Sequence, residues 1–164
     1  MDRKIKNFPW HKYLKECLES TFYCCLATVD QRGVWSNPVY FAYDKNIIYF
    51  ISQPDSRHMR NIKRDSRVAL SIYTTEQDSF GDIVGIQLDG HARILINKDE
   101  VKRAYGVYYN RKYPKTGKDK SGNEEDVYIN NPEWQFVRIA PAHIYYFDTR
   151  FFGEERQEVP KNLS

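Results

Sequence analysis

The chain has 164 residues, the length of one domain, and it can bury a core without disulfide or metal staples. Its 25 basic and 22 acidic residues give a formal net charge of only +3, which excludes the strong positive field of most nucleic-acid-binding proteins. No apolar run reaches membrane-spanning length and the first residues carry no apolar signal core, so we expect a cytoplasmic protein without membrane or nucleic-acid partners.

The cysteines and aromatic residues narrow the class of fold. The three cysteines, of which Cys24 and Cys25 are adjacent, have neither zinc-site spacing nor the even number of a disulfide framework. Thirteen Tyr, nine Phe and three Trp make up 15% of the chain and concentrate in strand-like segments. This composition favours a β-rich fold, with some rings left for an interface or a ligand.

The N-terminal part of the chain predicts one helix and then three strands. Apolar residues at three- and four-residue spacing predict an amphipathic helix ending near Ser20, namely Trp10, Tyr13, Leu14, Cys17 and Leu18. Residues 23–29 predict an apolar strand, and residues 30–33 have hairpin-turn chemistry. Residues 34–43 predict the return strand of this hairpin, and residues 44–46 predict a tight turn into the next strand. We therefore expect an antiparallel three-strand meander.

The next stretch, a strand followed by a basic helix, is well suited to bind an anion. Residues 47–52 are β-branched and aromatic, which predicts a buried strand, and Pro54 then breaks it. Asp55 or Ser56 can cap a helix that begins near Arg57, which we expect to be exposed. Free backbone N–H groups at a helix start attract an anion, and an Arg adds a bidentate fork. The alternative is an ordinary basic helix face in contact with solvent.

Two further strands follow the basic helix. Residues 68–74 predict a short apolar strand, and residues 84–96 a longer one that alternates apolar and polar side chains. Gly85 and Gly90 are expected bulge or bend points, as barrel corners need.

The C-terminal part predicts a second long helix and a last strand. The helix begins at Asn97 or the next residue and carries apolar residues on one side. The Lys-rich segment over residues 112–122 is either a solvated loop or a lid that closes over an anionic substrate. Residues 134–148 predict a strand, in which Pro141 implies an edge or a bulge. The tail from residue 154 is polar, and we expect it to be frayed.

These elements predict a mainly β fold with flanking helices in a single domain over residues 1–164. The short turns and the lack of βαβ alternation favour a small, six-stranded antiparallel barrel over a doubly wound sheet.

Four stretches of the chain carry a family resemblance: Leu26-Ala27-Thr28-Val29-Asp30, Asn37-Pro38-Val39-Tyr40-Phe41, Ser56-Arg57-His58 and Gln87-Leu88-Asp89-Gly90-His91-Ala92. In this order they resemble segments of the FMN-binding split barrels related to pyridoxamine 5′-phosphate oxidase. Residues 104–105, 109–114 and 148–153 are similar to an uncharacterised bacterial branch of that family. The resemblance implies a six-stranded antiparallel split β-barrel.

The resemblance also implies a homodimer with two FMN sites at the subunit interface, each built from both chains. The isoalloxazine would face a main-chain edge formed by Val39, Tyr40, Phe41 and Ala42. The phosphate segment would comprise Ser52, Gln53, Ser56, Arg57 and His58, with Ser52, Ser56 and Arg57 as phosphate ligands. Phe147 would be an aromatic that packs on the flavin from the partner chain.

Two departures from the family pattern limit what it implies. The common Ser-Arg-Lys is here Ser-Arg-His, so the permanent phosphate cation becomes the titratable His58. His58 could equally cap the helix or face water. The arginine-bearing substrate motif of true pyridoxamine phosphate oxidases is not recognisable, so the small-molecule substrate stays unknown. Gln87 either forms a hydrogen bond with the edge of the flavin, or points into the barrel, where backbone groups form the hydrogen bonds of its side chain.

The catalytic residues are unknown from the sequence. No close carboxylate pair suggests acid–base catalysis, and no Ser or Cys lies in a recognisable nucleophile context. This favours an enzyme whose cofactor carries the electrons, an FMN-dependent oxidoreductase. The alternative is a non-catalytic flavin- or haem-binding module.

Overall fold

The computed structural model describes Ile5 and residues 7–74, 82–122 and 124–161. Its α-helices are α1 (Trp10–Glu19), α2 (Arg57–Arg64), α3 (Lys98–Lys112) and α4 (Thr149–Phe152), with a 3-10 turn at Glu125–Tyr128. Its strands are β1 (Tyr23–Asp30), β2 (Gly33–Tyr40), β3 (Ala42–Asp44), β4 (Ile47–Ser52), β5 (Arg67–Tyr73), β6 (Val84–Ile94), β7 (Gln135–Asp148) and β8 (Arg156–Glu158). Residues 75–81, whose polar sequence predicts a loop, lie outside the described residues.

The strands form one antiparallel sheet in the order β2-β1-β5-β6-β7-β4-β3, and β8 pairs with β7. Strands β2 and β3 occupy opposite ends of this order, yet only Phe41 separates them in sequence. The sheet must therefore curl until its two ends meet at Phe41. That arrangement is a split barrel, and it confirms the mainly β fold with flanking helices.

Two details of the predicted fold are wrong. The described residues contain eight strands and not the expected six. One extra strand arises because the buried Phe41 divides the strand expected over residues 34–43 into β2 and β3. The other is β8, which forms in the tail that was expected to be frayed. The tail pairs because Val159 is buried in the core. The meander is correct only in its two turns: residues 44–46 do join β3 and β4 as a hairpin, but β4 pairs with β3 and β7 and not with β2.

A bulge between β6 and β7 bends the long strands. The register shifts between Asp89 and Gly90, opposite the stretch containing Pro141, as the Gly and Pro predicted. A Cβ on Gly90 would overlap the carbonyl oxygen of Ala140 and lie 2.8 Å from the Pro141 Cα. Gly85, in contrast, pairs in regular register on both sides, so there is no bulge at this position.

The core has two parts, one inside the barrel and one beneath α3. The largest fully buried interior side chains are Tyr146, Phe41, Phe50, Leu26, Met59, Ile72 and Ile139. Outside the barrel, α3 packs its apolar side on β3, β4 and β7, burying Val101, Ala104, Tyr105, Tyr108 and Tyr109 with Phe136. Within the described part of the chain, no helix has the length and apolar character needed to cross a membrane.

Candidate functional site

The strand–turn–helix segment from β4 to α2 forms as predicted. Met59 and Ile62 are buried on the inner side of α2, and they hold the helix on the barrel. Ser56 is the N-cap residue with extended backbone (φ −65°, ψ 152°), but its side chain makes no capping bond in the described structure. The N–H groups of the first turn have no partner within a helix, so this helix start can accept an anion.

Two hydroxyl groups converge on an imidazole at this helix start. The Oγ atoms of Ser52 and Ser56 lie 2.8 and 3.2 Å from Nε2 of His58, and 3.4 Å from each other. The His58 residue is only 8% exposed, and this burial lowers its pKa. The structure therefore brings together three of the predicted phosphate residues, with a neutral imidazole among them at neutral pH.

Arg57 forms an ion pair with Asp30, a partner that the sequence did not predict. Its Nε and Nη2 donate to the two carboxylate oxygens of Asp30 at 2.8 and 3.0 Å, and its guanidinium lies 4.5 Å from the Trp35 ring centroid. The Arg57 side chain is 21% exposed and that of Asp30 is 7% exposed, so the expectation of an exposed Arg57 is wrong. The hydrogen bonds from Arg57 hold the pKa of Asp30 far below its usual range, and they raise the pKa of Arg57.

Asn61 also ties α2 to the end of β1. Oriented so that its amide nitrogen faces acceptors, Asn61 donates to Asp30 at 3.3 Å and to the Arg57 carbonyl at 3.0 Å, while its oxygen accepts from Thr28 at 3.0 Å. The residue is buried, so these bonds fix the rotation of α2 and thereby the direction of its N-terminus.

The segment expected to face an isoalloxazine lies where β2 ends and β3 begins. Val39, Phe41 and Ala42 are buried, so they can offer a ligand only main-chain atoms. Tyr40 is half-buried, with Lys112 Nζ lying 5.1 Å from its ring centroid. Burial lowers the pKa of Lys112 and raises that of Tyr40. A polar, partly desolvated pair therefore borders this edge.

Arg111 on α3 supports the same segment from behind. Its Nη2 donates to the carbonyls of Leu18 and Thr21 at 2.5 and 2.6 Å, and its guanidinium lies 4.5 Å from the ring centroid of Phe41. Burial lowers its pKa. Arg111 therefore joins α3 to the end of α1. It also packs on Phe41, where the chain crosses from β2 at one end of the sheet order to β3 at the other. Only the similarity of residues 109–114 to one family branch pointed to it.

Gln87 and Phe147 lie elsewhere on the sheet. They belong to β6 and β7, and at least one strand separates them from residues 39–42 in either direction around the sheet. Gln87 is exposed and accepts a 2.7 Å bond from Arg156 Nε, so the inward alternative is wrong. Arg156 also lies 5.2 Å from the Phe147 ring centroid. These three residues form a second group, which one chain does not bring to the first.

Several buried polar side-chain atoms have no hydrogen-bond partner in the described structure, and two of them are amide oxygens. These oxygens are Oδ1 of Asn37, on β2, and Oε1 of Gln135, which pairs with Ser52 across β4 and β7. Buried acceptors without donors are costly, so they suit a ligand that carries hydroxyl or N–H groups.

Gln53, the remaining predicted residue, contributes its carbonyl to the turn through a 3.1 Å bond from the Ser56 N–H. Among the described residues, no group of three or more His, Cys, Asp or Glu side chains could hold a metal ion.

Three proteins are similar to this chain over part or all of its length. Two Campylobacter jejuni proteins of the UPF0306 group are each 27% identical over 94 residues, which is 56% of this chain and 67% of theirs. The structure of the conserved hypothetical protein Rv2991 from Mycobacterium tuberculosis is similar over 100% of this chain and 99% of its own, with a TM-score of 0.70 and 20% identity.

One further solved structure and one family model are similar to this chain over most of its length. HutZ, the heme storage protein from Vibrio cholerae, is similar over 82% of this chain and 91% of its own, with a TM-score of 0.61 and 15% identity. At such identities the structural likenesses show the fold. Residues 11–148 match the family described as pyridoxamine 5′-phosphate oxidase. This match covers most of the barrel, from α1 to the end of β7, and the chain belongs to the pyridoxamine 5′-phosphate oxidase family.

Proposed function

We propose that this protein binds FMN at the interface of a homodimer and acts as an FMN-dependent oxidoreductase on a small molecule. The observation that carries the proposal is the group formed by Ser52, Ser56 and His58 at an uncapped helix start. Two hydroxyls, an imidazole and free N–H groups are suited to a phosphate, because they offer several donors to one anion.

The phosphate would be held chiefly by this group and less by Arg57 than the family resemblance implies. The Arg57 fork already occupies both oxygens of Asp30, so the pair adds little net charge. We infer that Arg57 orients α2 through Asp30 and presents its remaining nitrogen, Nη1, towards the ligand. The unpaired acceptors of Asn37 and Gln135 fit the hydroxyl groups of a ribityl chain.

The homodimer is supported by the division of the predicted site into two groups. Gln87, Phe147 and Arg156 share an outer sheet face with exposed apolar residues, including Tyr23 at 60% and Tyr73 at 49% exposure. An exposed apolar face of this kind is typical of an interface. A second copy placed on it would supply these three residues to the partner's residues 39–42.

In this arrangement FMN and the protein chain would have separate roles. FMN would supply hydride transfer, whereas the chain binds, orients and desolvates. Main-chain atoms of residues 39–42 would orient the ring system, and Tyr40 with Lys112 would bound the space open to a substrate. Because burial lowers its pKa, Lys112 would give up a proton more readily than an exposed lysine.

The test is a flavin-fluorescence titration of purified protein with FMN and with riboflavin, together with light scattering. We expect a dimer that prefers FMN, and bleaching of the bound flavin by reduced nicotinamide. Equal affinities for the two flavins, or a monomer that binds FMN fully, would refute the shared phosphate site. A parallel haemin titration addresses the fold shared with a haem storage protein. A Soret band without flavin binding would favour the non-catalytic haem-binding alternative.

A further inference from the structure

A large apolar cavity opens between α1 and the inner face of the barrel. Its volume is about 580 Å³, within the range usual for small-molecule sites. Leu14 and Leu18 of α1 form one wall, and Ile86, Leu88 and Ile144 of the sheet form the other. Leu14, Leu18 and Ile144 are only half-buried, so their apolar surface faces this space.

The cavity is separate from the proposed flavin site. None of the eleven predicted cofactor residues lines it, and its walls are interior side chains, whereas Gln87 and Phe147 lie on the outer face. A smaller cleft of about 210 Å³ adjoins it, sharing Leu14 and Ile144 and extending towards Val159. An apolar chain entering the cavity therefore has room to continue along the barrel.

The charged side chains that line the cavity itself are of one sign. They are Lys15 and Lys45, with no carboxylate, whereas the adjoining cleft contains Glu158 and Lys161. The nearest acid that meets one of these cations is Glu19, whose Oε1 lies 3.8 Å from Lys15 Nζ, a weak pair at an exposed site. Lys45 has a left-handed backbone (φ 53°) in the β3–β4 turn, which places its side chain at the entrance.

We propose that this cavity binds an amphipathic carboxylate, a long-chain fatty acid, with its alkyl chain against the apolar walls and its carboxylate at Lys15 and Lys45. The apolar lining excludes strongly polar ligands, because their groups would lose water without finding partners. The cationic entrance favours an anion over a neutral or cationic head group. The proposal does not depend on FMN, since no residue is shared with that site.

The test is displacement of dansyl-labelled undecanoic acid from the purified full chain by laurate, dodecanol and dodecylamine. We expect laurate to displace the probe best and dodecylamine worst. The double variant Lys15→Gln/Lys45→Asn should weaken laurate by up to about fivefold for each lysine, and leave dodecanol unchanged. Asn is chosen at position 45 because it tolerates the left-handed backbone.

Two further variants make the test decisive. Lys12→Gln/Lys63→Asn removes the same charge outside the cavity and should leave laurate binding unchanged; an equal loss would overturn specific recognition of the carboxylate. Leu14→Trp fills the cavity and should abolish laurate and dodecanol binding while the FMN titration is unaltered, with Ile144→Phe as the second filling variant if Leu14→Trp does not fold. Unchanged laurate affinity in a folded filling variant, or no displacement by laurate in the wild type, would overturn the proposal.

Discussion

His58 offers the sharpest test of the phosphate site, because its charge can be changed by pH alone. In the free protein its burial lowers its pKa below the usual 6.5, so it is neutral at pH 7. A phosphate within reach of Nε2 would favour the imidazolium and raise that pKa. FMN binding is then coupled to proton uptake, and the affinity for FMN should rise as pH falls from 8.5 to 6.5.

The expected size of the effect follows from the same contacts. A hydrogen bond to a charged group contributes roughly 1.5–3 kcal/mol, and burial of the imidazolium at this 8%-exposed position takes part of that gain. We therefore expect about 1.5 kcal/mol, or about tenfold in FMN affinity. The second pKa of a phosphate ester is about 6, so the ligand remains mostly a dianion above pH 6.5.

The assay compares FMN with riboflavin by fluorescence titration at half-unit steps of pH. Over this range the wild type should show a gain of up to about tenfold for FMN, complete only below the free-state pKa of His58, and no trend for riboflavin, which lacks the phosphate. His58→Gln should remove the trend, and His58→Lys should replace it with pH-independent binding, because a lysine stays charged over this range. Ser52→Ala is the matched control, since it removes one hydroxyl contact of His58 and leaves the titratable group in place.

A wild-type FMN affinity that is flat across this pH range would refute a charged His58 at the phosphate. The same conclusion would follow if His58→Gln kept the wild-type pH dependence, or if riboflavin affinity followed the same trend. The first result would leave His58 as a packed neutral side chain, and the other two would move the titrating group elsewhere.

Three further outcomes test the structure around the site. Without flavin, the free energy of unfolding of the wild type should fall relative to that of His58→Gln as pH drops below 6.5. The reason is that the imidazole is protonated more readily in the unfolded chain than in the folded protein, where burial lowers its pKa; chemical denaturation at pH 7.5 and 5.5 measures the difference. Arg57→Ala should lower thermal stability as well as FMN affinity, because the mostly buried Asp30 loses two donors; an unchanged Tm with weaker FMN binding would show that Arg57 serves the ligand alone. Gly90→Ala should cost about 1–3 kcal/mol or more through overlap with the facing backbone, whereas Gly106→Ala, in open space on α3, should be neutral or stabilising, and similar Tm values for the two would contradict the bulge geometry.

The parts that the sequence predicted well depend on neighbours within a few residues. The side-chain spacing of α1 and α3 and the turn at Gly33 act locally, as does Ser56 before α2. The Gly90–Pro141 bulge was predictable because each residue alone disfavours a regular ladder. The outward direction of Gln87 was also readable, since it lies between the buried Ile86 and Leu88 in a strand of period two.

By itself the sequence determined a mainly β fold, its strands and helices to within a few residues, the family, and the strand–turn–helix segment that we propose for a phosphate. Only the tertiary structure decided the sheet order, the crossing at Phe41 and the pairing of Arg57 with Asp30, which stands 27 residues away. It also decided that Gln87 and Phe147 lie apart from residues 39–42. The reason is physical: backbone propensities and turn chemistry act over a few residues, whereas strand order and charge pairing depend on which distant segments the curled sheet brings together.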